Sequence, residues 1–325
     1  MPPILLLGFP PDALTPEQID QIRRLAPDME LLITDDRAQI EAALDRIEIA
    51  ARRFPRDLIA RAPNLRWFQQ WGAGVDWLLR HPEVIDHPVI ITNASGVHAI
   101  PISEHVFAYL LAFARRLPDA IRAQVRHHWL SHEEISEMGG VFELAGLTML
   151  VVGVGAIGKR IARLGGALAM HVWGVRRHPQ KSVAGVERMF GPDVMLDALG
   201  EADIVVLTLP HTPETHHLFD ARAFAAMKRG AYFVNIGRGR VVDENALIQA
   251  LRSGQIAGAG LDVFETEPLP TDSPLWDMSN VIITSHYSGA TPFYDQRAMA
   301  IFLDNLRRYK AGQPLRNVVD KQRGY

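Results

Sequence analysis

The stretch that decides the fold runs from Leu147 to Gly158 and reads LTMLVVGVGAIG. Its first half is an apolar run typical of a buried strand, and its second half places Gly153, Gly155 and Gly158 in the spacing GxGxxG before a helical pattern. In such a turn the first glycine permits a tight bend, the second lets a pyrophosphate approach the backbone, and the third allows the helix to pack closely on the sheet. The stretch therefore predicts a βα unit that holds a dinucleotide at the helix N-terminus, and a glycine-rich turn without a ligand is the alternative interpretation.

Short apolar runs alternate with amphipathic segments on both sides of this stretch. The predicted strands are residues 4–7, 31–33, 65–70 and 89–92 in a first series, and 147–152, 170–175, 204–209, 232–236, 259–263 and 281–284 in a second. Alternating strands and helices indicate βαβ units and parallel sheets. The predicted fold class is therefore α/β, with two consecutive parallel-sheet domains of the Rossmann-like or flavodoxin-like kind.

A long helical pattern lies between the two series. It starts after Pro101 and stops near Pro118, and its predicted apolar face comprises Val106, Leu110, Leu111 and Phe113. Residues 119–130 continue the helical pattern and are rich in His and Arg, which suits either a linker helix or an arm for a partner subunit. Residues 292–309 also have a helical pattern, and this tail is free to pack back on the first domain.

Composition and charge exclude several classes of function. The chain has 325 residues, more than a single core usually serves, and its formal net charge of −3 gives no basic field for a phosphate backbone, so nucleic acid is not expected as a partner. It contains no cysteine, which excludes disulfides and thiolate chemistry. No apolar run approaches the roughly 18 residues that span a bilayer, and residues 1–7 show no basic leader. A cytoplasmic protein without membrane partners is expected.

Two arginines follow the predicted strand 170–175. An NAD-preferring site usually carries Asp or Glu at this place to bind the ribose 2′-hydroxyl, whereas this chain has Arg176 and Arg177. Two guanidinium groups can hold a 2′-phosphate bidentately. NADP(H) is therefore the predicted cofactor, with NAD(H) as the second choice, and two solvated surface arginines are the alternative interpretation.

Three later strands each end near a residue suited to chemistry, namely Arg238, Glu267 and His286. The carboxyl ends of parallel strands share one edge of the sheet, where ligands bind. Reduction of a 2-oxo acid needs a cation for the carboxylate and a proton donor for the developing alkoxide, which Arg238 and His286 provide. Glu267 would bond the other imidazole nitrogen and favour its charged form. A turn arginine, a surface acid and a strand-end histidine are the alternative interpretations, which spacing alone leaves open.

Several segments together resemble the signatures of the D-isomer-specific 2-hydroxyacid dehydrogenase family. They are the glycine motif at Gly153, residues 234–239 (VNIGRG) with Val242-Asp243, residues 261–270 (LDVFETEPLP), residues 286–289 (HYSG), residues 70–76 (QWGAGVD) and residues 314–319 (PLRNVV). The resemblance implies a substrate domain formed by residues 1–99 and 290–325, an inserted dinucleotide-binding domain formed by residues 100–289, and a cleft between them. It also implies homodimers joined through the helix and arm after Pro101.

The resemblance further implies roles for individual residues. The backbone amides of Gly72, Ala73, Gly74 and Val75 would cradle the substrate carboxylate, and Asp262 would meet the nicotinamide carboxamide. Together with the three motif glycines and the two arginines, the implied cofactor-binding residues are Ala156, Ile157, Leu209, Pro210, Thr215, Ile236, Gly237, Asp262, His286 and Gly289. Arg238, Glu267 and His286 would hold the catalytic roles argued above.

The chain departs from the family pattern at two places. Ser285 stands where the family commonly has proline before the catalytic histidine, and the arginines after Val175 replace the acidic residue of NAD-using members. These departures leave the three catalytic candidates intact. The predicted function is hydride transfer between NADP(H) and a small 2-oxo or 2-hydroxy acid, with glyoxylate and hydroxypyruvate favoured as substrates.

The sequence leaves two other functions open as alternatives to this prediction. A phosphite-type or formate-type dehydrogenase would use the same fold, although formate enzymes pair the histidine with Gln, against which Glu267 argues. A nicotinamide-sensing, corepressor-like binding protein is the alternative from a different class. The other histidine-rich places predict no metal site, because matching carboxylates are not evident there. They are His127, His128, His132, His216 and His217.

Overall fold

The chain forms two α/β units, each built on its own sheet. The computed structural model describes residues 1–324, and the first unit combines Met1–Val97 with the segment that starts at Thr291, while the second is His98–Ala290. In chain order the helices and strands are β1 Ile4–Gly8, α1 Pro16–Leu25, β2 Glu30–Ile33, α2 Arg37–Ala42, β3 Ile47–Arg52, β4 Trp67–Gln69, β5 Ile90–Thr92, α3 Ala99–Ala114, α4 Leu117–Val125, α5 His132–Glu137, β6 Thr148–Val152, α6 Ala156–Ala167, β7 His171–Val175, β8 Arg188–Phe190, α7 Met195–Glu201, β9 Ile204–Leu207, α8 Ala221–Ala226, β10 Ala231–Asn235, α9 Glu244–Arg252, β11 Ile256–Leu261, β12 Val281–Ile283 and α10 Tyr294–Lys310.

The sheet of the first unit has the strand order β2-β1-β3-β4-β5, and its neighbouring strands are all parallel. This is the flavodoxin-like order. Successive side chains of a strand point to opposite faces, so Ile4 and Leu6 of β1 belong to one apolar cluster, while Leu5 and Leu7 belong to another. Phe302 of α10 packs in the second cluster. Both faces are therefore covered, as parallel sheets require.

The sheet of the second unit has the strand order β12-β11-β10-β9-β6-β7-β8 and is also parallel throughout. The chain extends the sheet from β6 to β8 in one direction and then crosses back to continue from β9 to β12 in the other. The carboxyl ends of β6 and β9 therefore flank the topological switch point, the place where ligands bind in such sheets. Apolar clusters cover both of its faces. The two parallel sheets confirm the predicted α/β fold class.

Two strands of the structure were not predicted from the sequence. Strand β3 lies between β1 and β4, although Glu48 interrupts its apolar pattern, and β8 is a three-residue strand paired with β7. The predicted strands of both series are present, with ends shifted by up to about three residues, which is the usual uncertainty of such boundaries.

The helical prediction for residues 101–130 needs two corrections. Helix α3 begins at Ala99, so Pro101 lies within its first turn, and Arg116 in a left-handed conformation (φ 55°) separates it from α4. The predicted continuation to residue 130 is wrong, because α4 ends at Val125 and His127 adopts φ 53°. Among the described helices, none combines the length and apolar character that crossing a bilayer requires.

Candidate active site

The glycine turn between β6 and α6 shows which of its glycines the protein itself requires. Gly153 has φ 105°, and a Cβ there would lie 2.7 Å from Thr208 Oγ1, while a Cβ on Gly158 would overlap the carbonyl oxygen of Gly153. A Cβ on Gly155 would meet nothing within 4 Å. Packing thus explains Gly153 and Gly158, whereas Gly155 faces open space at the start of α6. This is the arrangement that fits a pyrophosphate on the backbone, and Ala156 and Ile157 form the first turn of the helix.

The two arginines follow β7, the strand next to β6 in the sheet. Arg176 is half-buried and its amide donates to the carbonyl oxygen of Phe190 (3.1 Å), while Arg177 is exposed. A hydrogen bond from Thr212 lowers the pKa of Glu214, and the nearby positive charge of Arg177 lowers it further. The arginine pair therefore stands at the same sheet edge as the glycine turn, with Arg177 near the loop that follows β9.

The loops after β9 and β10 lie against each other. A Cβ on Gly237 would lie 2.6 Å from the carbonyl oxygen of Leu209, so the two backbones are in direct contact. Thr215 Oγ1 donates to the carbonyl oxygen of Pro210 (2.8 Å), which closes the loop after β9 on itself. Ile236 is buried beneath them. The predicted cofactor-lining residues of these two loops are thus neighbours at the carboxyl edge of the sheet.

Gly289 ends the loop that follows β12. Its carbonyl oxygen lies 3.0 Å from Nδ1 of His98, and a Cβ at this position would approach the same nitrogen to 2.8 Å. The amide of Ala290 donates to the carbonyl oxygen of Tyr287 (2.8 Å), which forms a tight turn. A side chain at Gly289 would therefore displace His98.

The three catalytic candidates follow three adjacent strands, β10, β11 and β12. Nδ1 of His286 lies 2.7 Å from Oε2 of Glu267, and Oε1 of Glu267 accepts a hydrogen bond from the amide of Phe264 (3.0 Å). The Glu267 carboxylate is therefore fixed at both oxygens. Since Nδ1 of His286 is engaged, Nε2 is the ring nitrogen left to face a reactant, and about half of the imidazole surface (51%) is exposed.

The turn that carries Arg238 is held by the side chain of Asn235. The side chain of Asn235 accepts from the amide of Gly237 (3.1 Å) and donates to the carbonyl oxygen of Arg238 (3.2 Å), so the turn after β10 is tied to the strand. A Cβ on Gly239 would overlap the carbonyl oxygen of Phe264, which explains the glycine there. Arg238 is half-buried, and the segment that carries it packs directly on the segment that leads to Glu267.

Asp262 anchors the loop that carries His286. Its carboxylate is buried and accepts hydrogen bonds from the Thr284 hydroxyl (2.5 Å) and from the amides of Tyr287 (3.0 Å) and Ser288 (3.1 Å). The backbone carbonyl of Asp262 accepts from the amide of His286 (2.9 Å), and His286 itself adopts the left-handed conformation with φ 55°. A non-glycine residue in that region needs surrounding contacts to keep it there, and Asp262 provides them.

Two residues of helix α3 extend this network, and sequence reasoning did not identify them. Oγ1 of Thr284 lies 2.5 Å from the Tyr109 hydroxyl and 3.0 Å from Nε2 of His105. Gly260 of β11 lets the Tyr109 ring approach, since a Cβ on Gly260 would lie 2.6 Å from that ring. Burial lowers the pKa of His105 and raises the pKa of Tyr109. His105 and Tyr109 lie one turn apart on α3, and this spacing is a sequence signal that could have suggested a shared partner.

The predicted substrate loop belongs to the first unit, after β4. The carbonyl oxygens of Gly72, Ala73 and Gly74 accept hydrogen bonds from the Ala94 amide (3.1 Å), the Asn93 side chain (2.8 Å) and the Gln70 side chain (3.2 Å), in that order. Within residues 1–324, no group accepts a hydrogen bond from the amides of residues 72–75. The loop is therefore held through its carbonyl groups.

Two of the histidines outside this site lie beside a carboxylate. His128 Nε2 lies 2.7 Å from Glu134 Oε1, and His217 bonds Glu265. His211 lies against His216, with 3.2 Å between ring nitrogens. No group of three or more potential ligands with metal-binding geometry occurs in the described part of the chain.

Comparison with known proteins places the chain in a family. Residues 107–288 match the NAD-binding domain of the D-isomer specific 2-hydroxyacid dehydrogenases. A glyoxylate/hydroxypyruvate reductase B from Salmonella newport is 35% identical over 288 residues, which cover 88% of this chain and 87% of the relative.

Two solved structures are similar over almost the whole chain. A D-isomer specific 2-hydroxyacid dehydrogenase from Xanthobacter autotrophicus Py2, in complex with NADPH and MES, is 34% identical with a TM-score of 0.82, covering 99% of both chains. An NADPH-dependent glyoxylate/hydroxypyruvate reductase from Sinorhizobium meliloti, in complex with NADP and sulfate, is 30% identical with a TM-score of 0.81, covering 99% of this chain and 100% of the other. The chain is thus an NAD(P)-dependent oxidoreductase that belongs to the D-isomer specific 2-hydroxyacid dehydrogenase family.

Proposed function

We propose that this enzyme reduces small 2-oxo acids, of which glyoxylate and hydroxypyruvate are the favoured substrates, with NADP(H) as the preferred cofactor and D-hydroxy acids as the chiral products. The observation that carries the proposal is the 2.7 Å contact between His286 Nδ1 and Glu267 Oε2. These two residues follow β12 and β11, and Arg238 follows β10, the next strand of the sheet. The names of the Salmonella and Sinorhizobium relatives support the same choice of substrates.

The proposed roles follow from hydrogen-bond capacity. Glu267 accepts from His286 Nδ1, so the second proton of the imidazolium lies on Nε2, where His286 donates it to the carbonyl oxygen of the substrate. When bound, the reduced nicotinamide supplies the hydride to the carbonyl carbon. The products are the hydroxy acid, the oxidised cofactor and a neutral imidazole, which regains a proton from water. Arg238 offers paired N–H groups to the substrate carboxylate and holds it while the proton moves.

We further propose a division of labour between the two units. The unit His98–Ala290 is the dinucleotide-binding domain, because it contains the glycine turn, the arginine pair and Asp262. The unit that contains β1 to β5 and α10 is the substrate domain. Its loop at residues 72–75 supports this role, since the four amides have no acceptor among the described residues and can bind a carboxylate.

The reaction is tested by following the loss of reduced-nicotinamide absorbance. NADPH and NADH are each supplied with glyoxylate, hydroxypyruvate, pyruvate and longer 2-oxo acids, and the reverse reaction is run with D-glycerate and L-glycerate. We expect turnover with glyoxylate and hydroxypyruvate, and oxidation of D-glycerate only. Tight NADPH binding without turnover on any of these acids would instead support the nicotinamide-sensing alternative.

Cofactor choice gives a prediction for the arginine pair. Replacing Arg176 and Arg177 together with Ala should weaken NADPH binding by at least about 100-fold, because two charge-assisted hydrogen bonds of about 1.5–3 kcal/mol each are lost. NADH has no 2′-phosphate, so its Kd should change by less than about 3-fold. Fluorescence titration of both cofactors measures the two constants.

A matched control separates this contact from general loss of charge. Arg222→Ala with Arg252→Ala removes two exposed arginines of the same unit, and it should leave both constants unchanged. Equal weakening of NADPH and NADH by the Arg176 and Arg177 variant would show that these arginines have only a structural role.

We also propose that the enzyme is a homodimer joined through α4 and the segment after it. Leu117, Ile121 and Val125 recur every fourth residue on one face of α4 with exposed fractions of 48%, 61% and 77%, and Trp129 is 91% exposed. Contiguous exposed apolar side chains of this kind mark protein interfaces.

The dimer is tested by size-exclusion chromatography with light scattering, which measures the molar mass of the eluting protein. Val125→Asp combined with Trp129→Asp should convert a dimer into a monomer, since two charges would be buried without partners. Gln124→Asp places a charge on an exposed position of the same helix and should leave the dimer intact. A wild-type protein that elutes as a monomer at all concentrations would refute the proposal.

A further inference from the structure

A cavity of about 730 Å³ opens between helix α6 and residues 181–185 of the second unit. Five of the side chains that line it are cationic, namely Lys159, Arg160, Arg163, Arg176 and Lys181. We call it the cationic cavity. Its residues are distinct from the glycine turn, and only Arg176 has a role in the function proposed above.

The charges of the cationic cavity lack compensation. No Asp or Glu lines it, and within residues 1–324 none of its five cations forms a salt bridge. Arg160 donates to the Ser103 hydroxyl (3.1 Å), which leaves its charge unneutralised. The chain as a whole has a net charge of −3, so this concentration of positive charge is local. Like charges in a shared concavity repel one another and raise the local concentration of anions.

The fold builds this cavity. Lys159 and Arg163 are four residues apart on α6 and therefore project from the same side of the helix. Gly185 has φ 83°, and a Cβ on it would lie 3.4 Å from backbone atoms of Arg163, so the opposite wall packs closely on the helix. A turn from Val183 to Val186, closed by a 3.1 Å hydrogen bond, shapes that wall. The cationic side chains are thus presented by packed backbone on both sides.

The size and lining indicate the class of ligand. Small-molecule sites usually have volumes of roughly 300–1,000 Å³, so the cavity is larger than a single phosphate requires. Val183, Ala184 and the alkyl parts of the Lys and Arg side chains add an apolar surface. We infer that the cationic cavity binds a nucleoside polyphosphate, with the cations on the phosphate chain and the apolar wall beside the nucleoside.

Sharing of Arg176 links this ligand to cofactor choice. Arg176 is also proposed to hold the 2′-phosphate of the cofactor, so this part of the inference rests on the proposed function. The bound polyphosphate should compete with NADPH for Arg176 and should not compete with NADH. A nucleoside polyphosphate would then shift the enzyme from the phosphorylated cofactor towards the unphosphorylated one.

The binding site is tested on the full chain without cofactor, by calorimetric titration with ATP, tripolyphosphate and adenosine in the absence of divalent metal. We expect ATP to bind more tightly than tripolyphosphate and adenosine to show no binding. Lys159→Ala with Arg163→Ala should weaken ATP at least about 10-fold, the loss of one charged contact or more. Lys181→Ala, on the opposite wall, should weaken it in the same direction. The Arg222 and Arg252 double variant should bind ATP as the wild type does.

The same variants distinguish a separate site from a mere extension of the cofactor site. The Lys159 and Arg163 variant should keep the Kd of NADPH within about 3-fold, whereas the Arg176 and Arg177 variant should not. If NADPH weakens as much as ATP in the Lys159 and Arg163 variant, the cavity is only part of the cofactor site and the inference fails. ATP binding that no cavity substitution changes would also overturn it. Because the titration contains no cofactor, its result does not depend on whether the enzyme prefers NADP(H).

Discussion

His286→Gln is expected to lower the turnover number for 2-oxo acid reduction by about 100-fold or more, the scale of general acid catalysis, while the Kd of NADPH stays within about 3-fold of the wild type. Gln fills a similar space and its amide N–H can donate a hydrogen bond to Glu267, but that amide is far too weak an acid to transfer a proton to an alkoxide. Steady-state kinetics and cofactor fluorescence measure the two quantities. Turnover near that of the wild type would refute the assignment of His286 as the acid.

The chain offers a matched control for this substitution. His171 Nδ1 lies 3.1 Å from Glu187 Oε2, so His171 and Glu187 form a similar pair in the same unit. His171 begins β7, whereas His286 follows the carboxyl end of β12, and in a parallel sheet those positions lie on opposite edges. His171→Gln should therefore leave turnover unchanged. Equal losses in the two variants would mean that the effect is one of stability.

Arg238→Ala is expected to lower kcat/KM for the 2-oxo acid by about 1,000-fold, because two charge-assisted hydrogen bonds to the carboxylate are lost. Arg238→Lys keeps the charge but not the paired donor geometry, so it should recover only part of this loss. The Kd of NADPH should remain close to the wild-type value. Steady-state kinetics over a range of 2-oxo acid concentrations measure the effect.

Arg240, exposed and two residues away, provides the comparison for Arg238. Arg240→Ala changes the net charge of the same turn by the same amount, and it should leave kcat/KM unaltered. If both substitutions reduced kcat/KM alike, a general field of positive charge would explain the result better than a contact between Arg238 and the substrate carboxylate.

Strands with continuous apolar runs were predictable from the sequence. Every residue of β9 is buried, and its run of Ile and Val predicts a strand that is covered on both faces. Strand β3 was missed because Glu48 interrupts its run, and the structure accommodates Glu48 at the sheet, where its carboxylate accepts from the Tyr309 hydroxyl (2.9 Å). Such a contact joins residues far apart in sequence, so periodicity could not reveal it.

Helix faces were predicted less well. Val106, Leu110 and Phe113 are buried as expected, whereas Leu111 is 42% exposed. One residue advances the helix by about 100°, so Leu111 cannot share the face of Leu110, and the apolar pattern hid this because the helix is apolar on several sides.

Some residues of the candidate site were predictable from the sequence and others were not. Arg238, Glu267 and His286 were identified because their residue types stand at strand ends, and topology brings such ends to one edge. A contact between His and Glu does not by itself mark an active site, since other such pairs, for example His128 with Glu134, lie outside the site. Tyr109 reaches Thr284 only because α3 packs on β11, a tertiary contact with no counterpart in local sequence.

The network behind Asp262 has a defined direction of hydrogen bonding. The hydroxyl of Thr284 has one proton, and an ionised carboxylate can only accept, so that proton points to Asp262. The Tyr109 hydroxyl and Nε2 of His105 must then both donate to the lone pairs of Thr284, which confines His105 to the tautomer with its proton on Nε2. Every proton along this chain is oriented towards Asp262, and a single hydroxyl group thereby sets the polarity of the contact between helix α3 and the loop of His286.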